Sequence, residues 1–152
     1  MTKFSLEAKA TFENVKSVTF TAPFVFLVRQ TGGTEERDGV EIYPDNEEGV
    51  FGSKGTANFK LKWDKKDKFE ATLKVLSTKP LTVSRSWKSI AQFETRGLDL
   101  IKFYPKTGDV VANSGTLFAD SDLENEDGFS EYDEDAKVPV SVTDAEFRIV
   151  VG

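Results

Sequence analysis

The chain contains no cysteine and no histidine. The first absence excludes disulfides, thiolate nucleophiles and sulfur-ligated metals. The second excludes an imidazole base and, with it, the Ser-His-Asp and Cys-His arrangements of nucleophilic hydrolases. A protein-built zinc, copper or haem site loses its preferred ligands at once. Long apolar runs are absent too. The longest is Phe24-Val25-Phe26-Leu27-Val28, far short of the roughly 20 apolar residues of a membrane-spanning helix. The start, Met1-Thr2-Lys3-Phe4-Ser5, has no apolar stretch of the secretory type. Cations are outnumbered: Lys plus Arg is 20 against 26 Asp plus Glu, a formal charge of −6. An acidic chain is a poor partner for nucleic-acid backbone or anionic lipid, so neither is expected.

What is present describes a folded β-protein. The chain has 152 residues, enough for one domain with a sizeable core. Apolar residues make up 38% and charged ones 30%, a balance that excludes intrinsic disorder. Thirteen phenylalanines, with many Val and Thr, favour strands. Phe4, Leu6, Ala8, Ala10 and Phe12 share one parity and alternate with polar neighbours, the pattern of a half-buried strand. Further strands are expected over 15–20, 24–28, 40–43, 58–63, 69–76, 81–83, 87–93, 98–104, 138–142 and 147–151. Gly32-Gly33 reads as a two-residue hairpin turn, and 64–68 as a charged hairpin tip. No helical period persists. The expected fold class is all-β, two packed antiparallel units in a sandwich-like arrangement with little helix.

A degenerate repeat supports two units. Placing Ala8 on Ala91 sets Asn14 on Gly97, Val18 on Ile101 and Phe20 on Phe103, a shift of 83 residues. Each segment is a strand, a tight turn at a residue tolerant of positive φ, and a second strand. The expectation is a single domain, 1–152, with halves 1–84 and 85–152.

Residues 120–135 hold nine carboxylates: Asp120, Asp122, Glu124, Glu126, Asp127, Glu131, Asp133, Glu134 and Asp135. Hard cations want such oxygen donors. Asp120, Asp122, Glu124 and Glu131 even fall at positions one, three, five and twelve of a calcium loop. Position six is Asn125 where the sharp turn needs glycine, and no helical pattern flanks the run. The reading preferred is a solvated acidic loop, pinned by Leu123, Phe129 and Tyr132, that recruits a basic partner surface. The alternative is a carboxylate-based calcium or metal module, or a metal-dependent hydrolase. Gly49-Val50-Phe51-Gly52-Ser53-Lys54-Gly55-Thr56 only superficially evokes a phosphate loop, since its glycine spacing is wrong. Trp63 and Trp87 read as sheet residues before ligand platforms.

Three blocks carry a family resemblance: Lys9-Ala10-Thr11-Phe12-Glu13-Asn14-Val15, Phe93-Glu94-Thr95-Arg96-Gly97-Leu98, and Ser114-Gly115-Thr116-Leu117-Phe118-Ala119-Asp120 followed by Tyr132-Asp133-Glu134-Asp135-Ala136. In order and spacing they resemble the eukaryotic CXXC-motif-containing zinc-binding proteins, a family of unknown function. The resemblance implies two CxxC pairs on hairpin tips clamping a structural zinc. Here those positions fall on Thr31 and Thr34, and on Lys60 and Trp63, while a further family cysteine falls on Thr95. Threonine hydroxyls are poor zinc ligands and Lys60 would repel a cation. The resemblance therefore implies homology, while the residues imply a zinc-free member without cofactor. Trp63 is expected to fill the vacated volume with apolar surface. The resemblance also implies a cytosolic, monomeric, non-enzymatic binding or adaptor protein, linked to partners such as the copper chaperone for superoxide dismutase.

Overall fold

The computed structural model describes residues 1–50 and 55–152. Among the described residues it is all-β, with fourteen strands and no helix. The strands are β1 (Thr2–Glu13), β2 (Val15–Thr21), β3 (Phe24–Gln30), β4 (Glu36–Ile42), β5 (Glu48–Gly49), β6 (Thr56–Ala57), β7 (Phe59–Leu61), β8 (Ala71–Thr78), β9 (Lys88–Arg96), β10 (Leu98–Tyr104), β11 (Thr107–Ala112), β12 (Leu117–Asp122), β13 (Phe129–Asp133) and β14 (Val138–Val151). The phosphate-loop reading of 49–56 falls partly outside the described residues.

The main sheet has six strands in the order β13-β14-β1-β9-β8-β7. Two three-stranded sheets, β10-β3-β4 and β12-β11-β2, complete the core, and a small β5-β6 pair lies against β8. Among the described residues every pairing between strands is antiparallel, and short turns join β3 to β4, β11 to β12 and β13 to β14. The order is symmetric about the β1/β9 contact. Exchanging β1–β4 with β9–β12 converts one small sheet into the other, so the degenerate repeat has a counterpart in topology. Each half contributes a strand to the other's small sheet: β3 pairs β10, and β11 pairs β2.

The core lies between the layers. Phe93 of the main sheet meets Phe26 at 5.2 Å and Phe24 at 6.1 Å, both edge-on, the favoured aromatic geometry. Phe103 joins them from β10 and reaches Phe147 of β14 at 5.1 Å. The alternation read in β1 is correct: Phe4, Leu6, Ala8 and Ala10 are all buried.

Several expectations need correction. The segment at Leu81 forms only an isolated bridge to Val18, held by reciprocal backbone bonds of 2.7 and 2.9 Å. The expected strands over 138–142 and 147–151 are one strand, β14, because a register shift against β1 absorbs the polar residues between them. Gly32-Gly33 sits inside a five-residue connection, 31–35, closed by Gly33 N–H to Gln30 O at 3.0 Å and Gln30 N–H to Glu35 O at 2.9 Å. The acidic stretch is not one loop: β12 and β13 occupy its two ends.

Candidate functional site

Two places carry the residues singled out from sequence. The first is the tip of the β3–β4 hairpin, where it meets the β9–β10 corner. Gly97 turns that corner at φ 76, and its carbonyl faces both hairpins. The Trp63 indole N–H donates to Gly97 O at 2.9 Å, and the Thr31 backbone N–H donates to the same oxygen at 3.3 Å. Thr31 and Trp63 thus converge on one acceptor. The Thr31 hydroxyl continues to Asp99 Oδ1 at 3.1 Å. Trp63 is 8% exposed, and the Arg37 guanidinium lies 5.1 Å from its ring centre. Burying an indole of this size stabilises by about 2–3 kcal/mol.

Thr34 and Lys60 do not join them. Thr34 is exposed on the connection. Lys60 reaches Gly49 O at 3.0 Å and Glu70 at 3.8 Å instead. Thr95 is fully buried, and among the described residues its hydroxyl has no hydrogen-bond partner. The four aligned positions offer one indole, two threonine hydroxyls and an ammonium. None of these is a strong zinc donor, so the residues present do not fit the metal.

The second place is the acidic segment. Asp120 and Asp122 lie on β12, Glu131 and Asp133 on β13. Glu124, Glu126 and Asp127 lie in the turn between them, while Glu134 and Asp135 begin the turn to β14. Asp122 Oδ1 accepts Glu124 N–H, and Glu124 pairs with Lys106 at 2.8 Å. Leu123 and Phe129 pack on the core as expected, whereas Tyr132 remains 48% exposed. Gly128, at φ 85, lies so close to the Val142 carbonyl that no Cβ would fit. That contact presses the turn onto β14.

Asp133 differs from its neighbours. It is buried, and its carboxylate accepts Ser114 Oγ at 2.5 Å, Thr116 Oγ1 at 3.0 Å and the N–H groups of Asp135 and Ala136. The Ser114 bond above all, with the bonds from Thr116 and the two amides, holds its carboxyl below the usual carboxylate range, although burial acts the other way. Asp133 therefore clips the β11–β12 hairpin to the end of β13. Sequence reading missed this role because both donors lie 17 or more positions away. Among the described residues no group of three or more Asp or Glu is gathered to hold a metal ion. The calcium-loop spacing is thus not brought together as a cage: Asp120 and Glu131 sit on strands of different sheets.

Together these features define a cysteine-free all-β protein with pseudo-symmetric halves, an aromatic plug at one hairpin junction and a carboxylate clip at the other. The chain belongs to the family described as "CXXC motif containing zinc binding protein, eukaryotic", whose model matches residues 5–150. It is 33% identical over 162 aligned positions to a UPF0587 protein of Schizosaccharomyces pombe, covering 98% of each chain. It is 29% identical to the human CXXC motif containing zinc binding protein, covering 99% of each. A solved structure of a hypothetical protein from Plasmodium falciparum superposes with a TM-score of 0.92 at 26% identity, over 99% of this chain and all of that one.

Proposed function

We propose that this chain is a zinc-free member of its family that acts by binding a protein partner, without catalysis. The observation that carries the zinc-free part is the Trp63 indole bonded to Gly97 O where the family motif places a ligand. An apolar, hydrogen-bonded plug supplies the closure that a metal would otherwise supply. The binding part is supported by the exposed acidic segment, which has eight solvent-facing carboxylates between Asp120 and Asp135 once Asp133 is set aside. Such a surface steers a partner of opposite charge. On this reading the protein is a cytosolic monomer, and the copper chaperone for superoxide dismutase is the first partner to try.

Native mass spectrometry with elemental analysis, combined with thermal unfolding with and without chelator, tests the first part. The expected result is no stoichiometric zinc and an unchanged Tm. One zinc per chain, with unfolding on chelation, overturns it. For the second part, titration with the chaperone at low and high salt is expected to show binding that weakens as salt rises. Binding by a variant with Asp120, Asp122 and Glu131 changed to lysine, at undiminished strength, would place the interface elsewhere.

A further inference from the structure

We propose that the cleft between β12 and β13 receives an extended basic segment of a partner protein, which adds to the free edge of β13 as a new strand. The inference rests on the binding reading above and gives it a shape. β12 and β13 are consecutive in the chain, yet each is the outermost strand of a different sheet. Between them lies a cleft of about 420 Å³ whose lining includes Phe118, Asp120 and Asp122 on one side and Phe129 and Glu131 on the other. Phe118 and Phe129 meet edge-on at 5.7 Å and tie the two strands together.

The two edges are not equivalent. β12 is a poor template: its register against β11 shifts, and Asp120 stands at φ 51 with its N–H held by Asp109 Oδ1 at 3.0 Å. The Phe118 carbonyl is taken by the Ser121 hydroxyl at 2.8 Å. Such irregularity is how an edge is made unfit for pairing. β13 is regular, with five consecutive pairs to β14 and no bulge. In an antiparallel ladder alternate residues turn their N–H and C=O groups away from the partner strand. Among the described residues no strand meets those groups on β13. A regular unpaired edge beside an open cleft is the geometry of strand addition.

Charge selects the occupant. Residues 120–135 contain nine carboxylates and no Lys or Arg. A second copy of this chain would bring like charge against like, which opposes edge-to-edge pairing. A segment with Lys or Arg at alternate positions would place cations against Asp120, Asp122 and Glu131 while its backbone pairs with β13. Tyr132, about half exposed on the same strand, offers an apolar surface to the residues between.

The test is fluorescence anisotropy with the full chain and a labelled peptide of alternating lysine and valine. Two further peptides carry N-methyl groups on alternate backbone nitrogens, one in each register, with side chains unchanged. The parent peptide is expected to bind. One methylated register should bind about tenfold more weakly or worse, the other nearly as well, and Glu131→Lys should weaken the parent by a similar factor. If both methylated peptides bind like the parent, strand addition is wrong while the acidic-surface reading survives. If no basic peptide binds at low salt, both fail.

Discussion

Gly97 stands to the second half of the chain as Asn14 stands to the first. Both turn a corner at positive φ, 76 and 56, from a long strand of the main sheet into a strand of a small one. Each corner's carbonyl accepts an N–H from the hairpin of the opposite end: Asn113 to Asn14 O at 2.9 Å, Thr31 to Gly97 O at 3.3 Å. The hairpin junctions are therefore equivalent places, closed by different chemistry. One is sealed by the Trp63 indole, the other by the Asp133 carboxylate. Where its relatives' name records a metal-binding motif, this chain has two hydrogen-bonded clasps.

The corners should respond differently to substitution. Gly97→Ala puts an L side chain in the left-handed region, which costs about 1–2 kcal/mol, and sets its Cβ 3.3 Å from Ala71 Cβ. A loss of about 2 kcal/mol or more is expected in urea unfolding. Asn14→Gly relieves the backbone but gives up the 2.7 Å bond from Asn14 Nδ2 to Pro139 O. The two effects oppose, so its net change should stay within about 1 kcal/mol. Equal losses for both variants would mean that the left-handed backbone at these corners does not decide the cost.

Trp63 should contribute through volume first and its N–H second. Trp63→Phe keeps most of the ring burial and loses the bond to Gly97 O. A cost of about 1–2 kcal/mol is expected. Trp63→Ala also opens a cavity beside Gly97, and about 3–5 kcal/mol is expected. Urea unfolding of both variants measures the split. A neutral Trp63→Ala would mean that the junction is not what holds the hairpins together.

Much of this arrangement was legible in sequence, and the reasons for the gaps are physical. β1 declared itself because Phe4, Leu6, Ala8 and Ala10 all face one core. The corner at Gly97 was marked by the repeat. β11 was missed because its buried positions are Gly108, Val110 and Ala112, too small to register as an apolar stripe. β12 and β13 were missed because they are edge strands with mostly exposed residues, which leaves no alternation to read. The acidic residues were visible as charge. Their division between two sheets, and the burial of Asp133 alone among them, depends on contacts with Ser114 and Thr116 that no local pattern encodes.

Thr95 predicts a stabilising substitution. Its hydroxyl is buried without a partner among the described residues, which costs about 1–3 kcal/mol relative to a satisfied or absent group. Valine has the same branching and nearly the same volume, and it suits a strand. Thr95→Val should therefore raise stability by about 1 kcal/mol. The comparison with Thr95→Ser, which keeps the hydroxyl and removes the methyl, separates polarity from packing and should be destabilising. A loss of stability in Thr95→Val would mean that the hydroxyl has a partner in solution.

Asp133 predicts a specific acid sensitivity. Its folded-state pKa lies below the ordinary 3.8, mainly because Ser114 donates to the carboxylate, so the unfolded chain binds the proton more readily. The contribution to stability is present in full above the ordinary value. It is lost as pH falls from there through the depressed folded value. Other carboxylates titrate in the same window, so the useful quantity is the Tm difference between the wild type and Asp133→Asn at each pH. That difference should be large and flat at neutral pH and shrink only in strong acid. Ser114→Ala removes the leading donor and should bring the folded pKa back toward 3.8, so that the acid-dependent loss from this group becomes smaller and is complete at higher pH than in the wild type. Parallel Tm curves for the wild type and Asp133→Asn throughout acid pH would show that the carboxylate's charge is irrelevant to the clip. The β11–β12 hairpin would then be held to β13 by shape alone.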